Sequence, residues 1–219
     1  MDNKKLLTII GMGDKNGLAL ARQFGKNNFI VAMLARSEDK LESFQQQLDS
    51  EGIESYYFLA DAADADSIRS GLRYVQGSLG DTDVLIYNVA VIGQTQLSEI
   101  QVDKLVEDFR VNVVGAIVAA QEVLPAMEAK KAGKIFFTGG GLALNPNFQY
   151  GSLGIGKAGL RNAAYCLHQE VRAKGVHVAT VTIQGFIQEE DEKYNPAAIA
   201  EQFWYLYEQR ENFEIEIEY

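Results

Sequence analysis

Gly11, Gly13 and Gly17, with Met12, Asp14, Lys15 and Asn16 between them and Leu-Ala-Leu-Ala beyond, form a stretch suited to phosphate chemistry. It follows a short apolar run and opens a helical pattern. Where a strand turns sharply into a helix, small residues let the backbone approach a pyrophosphate. The first helical turn then offers free N–H groups and a partial positive charge. Gly11, Gly13, Lys15, Asn16, Gly17 and Leu18 are therefore candidate cofactor contacts; the alternative is a plain tight turn. The next apolar run ends in Ala35-Arg36-Ser37. Domains that hold an unsubstituted adenosine ribose carry an acid at this point. Here a guanidinium replaces it, able to fork onto a 2′-phosphate, and Ser37 adds a hydroxyl. With the positive charge of Lys15 nearby, the pattern predicts NADP(H) in preference to NAD(H). Solvated surface charges are the alternative reading of the same residues.

These groups need a frame to position them. Short apolar runs at Leu6–Gly11, Phe29–Leu34, Ser55–Leu59, Val84–Tyr87, Lys134–Thr138 and Val176–Ile183 read as strands. Between them lie helical patterns at Gly17–Gly25, Ser37–Ser50, Ala65–Gly77, Gln101–Lys131 (broken near Val111) and Tyr150–Lys174, the last closed by Gly175. Pro196–Gln209 reads as a further helix and Phe213–Ile217 as a last strand. Alternating strands and helices predict an α/β fold, a Rossmann-type doubly wound parallel sheet of about seven strands with helices on both faces. Near-continuous apolar strands agree, because such strands are buried on both sides. In the last strand Phe213, Ile215 and Ile217 alternate with Glu214, Glu216 and Glu218, which predicts a sheet edge with its carboxylates outward.

The chain has 219 residues, 47% of them apolar, which suits a single domain over residues 1–219. A net charge of −10 repels phosphate backbones and anionic lipids. Neither nucleic acid nor membrane is an expected partner, whereas an anionic cofactor still binds where the local field is positive. One cysteine, Cys166, excludes an internal disulfide and a multi-cysteine metal site. It reads as a small buried residue and fits a reducing compartment. The first apolar run is shorter than a signal-peptide core, and no stretch approaches the roughly 20 apolar residues of a membrane span. A cytoplasmic location is expected. No metal is expected, because His168 and His177 lack further ligands at metal spacing and read as structural. Trp204, Tyr205 and Tyr207 read as core or interface.

In order and spacing, this sequence resembles the short-chain dehydrogenase/reductase family over nearly its whole length. Gly11, Gly13 and Gly17 fit that family's glycine turn, with Lys15 where a middle glycine is usual. Asp61, followed by Ala62, fits the aspartate that contacts adenine, and Asn88-Val89-Ala90 resembles the Asn-Ala-Gly element. Asn112 matches the asparagine that supports the proton relay, and Lys157 matches the catalytic lysine. Gly185 fits the Pro-Gly element, with Gln184 in place of proline and Ile187 shortly after. The resemblance also implies a small-molecule substrate and a homo-oligomer, dimer or tetramer, built on the helix Val113–Met127 and the one after it.

Two residues of that family are missing. Its tyrosine falls on Leu153, four residues before Lys157, and its serine on Gly140. Neither replacement exchanges a side-chain proton. Tyr150 lies seven residues before Lys157, and seven helical residues return to within about 20° of the starting direction, about 10 Å along the axis. That spacing resembles the enoyl-acyl-carrier-protein reductase branch, where a bulky apolar residue stands between. Lys157 would then hold the cofactor ribose and lower the pKa of Tyr150. Thr138 and Ser152 are candidate substitutes for the serine. The short acidic segment Gln188–Asn195 predicts an open or small substrate pocket, or one completed by a partner subunit. The leading expectation is an NADP(H)-dependent oxidoreductase acting on a small carbonyl or polarised C=C compound through Tyr150, Lys157 and Asn112. A non-catalytic NADP(H)-binding sensor or scaffold is the second, and a fold that no longer binds cofactor the third.

Overall fold

The computed structural model describes residues 4–219. Seven strands form one sheet in the order β3-β2-β1-β4-β5-β6-β7, every neighbouring pair parallel. They are β1 (Lys5–Ile10), β2 (Phe29–Ala35), β3 (Ser55–Leu59), β4 (Val84–Tyr87), β5 (Gly133–Gly140), β6 (Val176–Ile183) and β7 (Glu216–Glu218). Two-residue alternation splits the core between the faces. Leu7 and Ile9 join the side covered by α1 (Asn16–Gly25), α2 (Glu38–Ser50) and α7 (Pro196–Glu208). Leu6 and Ile10 join the side covered by α3 (Ala65–Leu79), α5 (Gly115–Lys130) and α6 (Gly151–Val171). Strands buried on both faces must be apolar throughout, which is why they read as continuous runs. The chain builds β1 to β3 outward on one side and returns to place β4 beside β1. The carboxyl ends of β1 and β4 therefore flank the switch point, where such sheets leave a crevice.

The long helical stretch predicted over Gln101–Lys131 is α4 (Val102–Phe109), a π-turn over Arg110–Val114 and α5. The Tyr87 hydroxyl donates to the Val111 carbonyl at 2.5 Å, so the widened turn gives one of its carbonyls to the end of β4. Its most apolar 18-residue window reaches a mean hydropathy of 1.2. By length and composition the Val102–Lys130 run is thus long and apolar enough to cross a membrane, contrary to the sequence expectation. Half of that window is buried inside this fold.

Four further expectations change. α6 begins at Gly151, leaving Tyr150 as its N-cap with φ −125° and ψ 38°, outside the helical repeat. Cys166 is exposed on α6, not buried. β7 is shorter than predicted. Most notably, Glu216 does not point outward. Its carboxylate is almost fully buried under α6, where Arg161 forks onto it at 2.6–2.9 Å and the Tyr165 hydroxyl donates at 2.7 Å. The Thr182 hydroxyl donates to its other oxygen. Glu214 and Glu218 are exposed as expected, so of the three alternating carboxylates Glu216 alone is drawn in among donors.

Burial opposes the Glu216 charge, but Arg161, Thr182 and Tyr165 outweigh it and hold the carboxyl below its ordinary value of 4.5. The stability this gives is complete above pH 4.5 and is lost as pH falls through the depressed value. Glu216→Gln removes the charge that all three partners address and is expected to destabilise by about 1–3 kcal/mol. Thermal denaturation at neutral pH, with the wild type repeated below pH 4, checks both statements.

Candidate functional site

Gly11 ends β1 with φ +88°, a region that favours glycine, and a Cβ there would run into Val89 and the Asn88 backbone. Gly17 packs tightly on Met12. Gly13 differs from both, since a Cβ built on it meets nothing within 4 Å. The loop therefore has two glycines set by close packing and one that faces open space. α1 starts just beyond with no side-chain cap on its N-terminus and no acid in its first turn. Uncapped N–H groups beside an open glycine suit an anionic pyrophosphate.

From this loop a chain of polar contacts crosses the carboxyl ends of the strands. Asn88, just after β4, donates through Nδ2 to the Gly11 carbonyl at 3.0 Å. Its Oδ1 accepts from Asn16 Nδ2 at 2.6 Å and from the Thr138 hydroxyl at 2.8 Å. The Thr138 carbonyl accepts from Lys157 Nζ at 2.6 Å. Four of the residues singled out from the sequence thus come together, joined through Thr138. Among the described residues Asn16 Oδ1 is buried without a hydrogen-bond partner. Val89 and Ala90 follow Asn88, and the Val91 N–H donates to Asn112 Oδ1 at 2.9 Å. That bond ties the π-turn to the loop after β4. Gly156 lets α6 lie directly on Asn112, where a Cβ would collide.

Lys157 is buried, and burial pushes its ammonium from 10.5 down to about 8. Gly140 lies against its stem, and a Cβ there would sit 3.3–3.5 Å from three of its carbons. Leu153 is buried as well. Neither proposed hydroxyl substitute is free: Thr138 donates to Asn88, and Ser152 donates at 2.7 Å to Asp108, which also pairs with Lys104.

Tyr150 stands apart from Lys157, with no hydrogen bond between them among the described residues. The Tyr150 oxygen accepts from Gln94 Nε2 at 3.2 Å, and its ring lies 6.5 Å from that of Phe186. Because Gln94 takes the acceptor side, the phenolic proton remains unassigned within the protein. Sequence reasoning missed Gln94, Phe186 and Tyr87. Tyr87 ends β4, whereas Gln94 and Phe186 lie in the loops after β4 and β6, where no local sequence signal marks them.

The remaining candidates line the crevice at its two ends. Arg36 and Ser37 follow β2, exposed, and Arg36 makes no ion pair among the described residues. The Gly11 and Met12 N–H groups both donate to Leu34, which brings the end of β2 beside the glycine loop. Asp61 turns the chain after β3 by accepting from the Ala63 N–H at 2.9 Å, and the Ala62 carbonyl crowds Gly115. At the other end Gly185 lies under the Tyr194 ring. Lys15 reaches across to the Ile187 carbonyl at 3.3 Å. Its ammonium is thus placed on the Ile187 side of the crevice, away from the Arg36 partnership expected from sequence. His168 and His177 bond to the carbonyls of Val178 and Glu214, as structural residues do.

A family profile described as short chain dehydrogenase matches residues 5–195, and the chain belongs to that family. It is 29% identical over 201 residues to 3-dehydrosphinganine reductase TSC10A of Arabidopsis thaliana, covering 88% of this chain and 60% of that protein. It is 29% identical over 181 residues to a human protein named inactive hydroxysteroid dehydrogenase-like protein 1, covering 79% and 53%. A metagenomic short-chain oxidoreductase solved in complex with NADP matches the fold with a TM-score of 0.88, over 97% of this chain and 95% of that one, at 24% identity. The chain spans 50–60% of the length of the first curated relatives it matches.

Lys157 yields a test that needs no substrate. Below about pH 8 the folded state carries the full cost of a buried ammonium. That cost shrinks as pH rises from about 8 to 10.5, so stability should rise across this window. Lys157→Met should raise the stability of the free protein by about 1–3 kcal/mol at neutral pH and flatten that rise, while weakening NADPH binding. Urea denaturation across the pH range measures it, and a less stable variant would contradict the placement.

Proposed function

We propose that this chain is an NADP(H)-dependent oxidoreductase acting on a small carbonyl or polarised C=C compound. The observation that carries the reading is the polar chain from Gly11 through Asn88 and Thr138 to Lys157, beside an uncapped helix N-terminus. Gly13, Asn16, Gly17 and Leu18 face or support the pyrophosphate, Arg36 and Ser37 the 2′-phosphate, and Asp61 and Ala62 the adenine. Lys157 addresses the ribose, and Gly185 and Ile187 flank the nicotinamide. The bound nicotinamide supplies or accepts the hydride. Tyr150 offers its free O–H to the substrate oxygen while Gln94 holds the phenolic oxygen in place. Asn112 fixes the loop after β4, and so the floor beneath the substrate. Support for NADP(H) comes from the missing acid after β2, and from the NADP bound to the metagenomic relative. The plant relative is named a reductase.

A second reading, a cofactor-binding protein without turnover, has its own observation. Gly140 and Leu153 exchange no proton, and the Thr138 and Ser152 hydroxyls are both engaged. The human relative is named inactive.

Fluorescence titration with NADPH and NADH separates these readings when paired with turnover. NADPH is expected to bind at least about 10-fold more tightly than NADH, with Arg36→Ala removing most of that preference. Tyr150→Phe should abolish NADPH oxidation on a carbonyl panel and leave the NADPH Kd unchanged. Binding without turnover in the wild type favours the second reading. Failure to bind either nucleotide overturns both.

A further inference from the structure

Three loops meet at Tyr150, and each brings an apolar side chain into water. The loop after β4 carries Ile92 (74% exposed) and Leu97, and the loop after β5 carries Phe148 (74% exposed). The loop after β6 carries Phe186 (70% exposed). Single exposed apolar residues are ordinary, but these four lie on loops that are tied together. The Thr95 N–H donates to the Gln149 carbonyl at 2.7 Å, and the Gly151 N–H donates to the Thr95 carbonyl at 3.1 Å. Leu97 packs onto Gly151 so closely that a Cβ there would strike it. The Phe186 ring leans on Tyr150 at 59°. The cluster thus stands at the carboxyl ends of β4, β5 and β6, beside the crevice that holds Lys157 and Asn112.

The charge beside this cluster is mixed but net negative. Beyond Phe186 the groove is lined by Ile187, Gln188, Glu189, Glu190 and Lys15. Both glutamates are exposed, with no ion pair among the described residues. Among the described residues Lys15 is the one cation in this lining; it is exposed and donates to the Ile187 carbonyl, so Glu189 and Glu190 leave the lining with a net negative charge. The Asp191 carboxylate accepts from the Lys193 and Tyr194 N–H groups. The Lys193 ammonium lies over the Tyr194 and Tyr219 rings, about 5 Å from each. The outer rim is therefore anionic around an apolar mouth, on a chain whose net charge is −10.

We propose that the substrate of this site is a carbonyl compound with an apolar body and a neutral or cationic far end. A carboxylate, a phosphate ester or a thioester of an anionic carrier does not fit it. This inference rests on the oxidoreductase reading for the carbonyl, and on the rim alone for the rest. Apolar area against Phe148, Phe186 and Leu97 supplies affinity, and Glu189 and Glu190 select among ends of different charge. Exposed carboxylates act through screened fields, so the selection is modest and depends on salt.

The test uses three matched ketones on the full chain: 4-phenyl-2-butanone and its para-aminomethyl and para-carboxy derivatives. Ligand-observed NMR reports their binding with and without NADPH, and the NADPH Kd of every variant is measured alongside. The ammonium and neutral ketones are expected to bind about 10-fold or more tightly than the carboxylate at low salt, with the gap narrowing as salt rises. Glu189→Gln with Glu190→Gln should close most of the gap, and Phe186→Ala should weaken the neutral ketone several-fold. The inference is overturned if the carboxylate binds as well as the others, if the double variant leaves their order unchanged, or if no ketone binds to a protein that binds NADPH. Ketone binding in this order without NADPH binding would keep the inference and defeat the cofactor reading.

Discussion

Asn88 is the joint between the two halves of the sheet. Its single amide donates to the end of β1 at Gly11 and accepts from Asn16 at the start of α1 and from Thr138 at the end of β5. All are buried or partly so, where an unmet polar group costs about 1–3 kcal/mol. The partners therefore fix one another, and with them the distance between the glycine loop and Lys157. Gly11 has no room for a Cβ because Asn88 and Val89 press against it. The crevice owes its shape to that constraint as much as to the turn between strands.

Lys157 is the group this arrangement holds at a cost. A buried ammonium with one carbonyl partner works against folding, and natural chains keep such groups where binding needs them. Gly140 beside its stem is consistent with the same economy of space. Tyr150, the proposed proton donor, stands at the N-cap of α6 beside Gln94 and the Phe186 ring.

Much of this was legible in the sequence because the signals were periodic or local. Strands buried on two faces leave unbroken apolar runs, and Val84–Tyr87 and Val176–Ile183 fall where those runs predict them; Ser55–Leu59 also falls in its predicted place, although as an edge strand it is partly exposed. The glycine turn is legible because Gly11 needs its backbone shape. What stayed hidden depends on partners far along the chain. Glu216 reads as an outward carboxylate until Arg161, Tyr165 and Thr182 come round to bury it. Cys166 reads as buried because its type usually is, yet its place on α6 faces out. The seven-residue spacing from Tyr150 to Lys157 places both on one helical face only if the helix includes both. The helix starts one residue too late. Lys15 is near Arg36 in the loop's sequence logic, but its stem runs the other way, to Ile187.

The central claim is that a dinucleotide lies across the strand ends between β1 and β4. Amide hydrogen exchange followed by mass spectrometry, with and without NADPH, addresses it segment by segment. The account predicts slower exchange at Gly11–Leu18, at Val89–Val91 and at Gly185–Ile187, with α7 and β7 unchanged. Unaltered exchange at Gly11–Leu18 under saturating NADPH would contradict it.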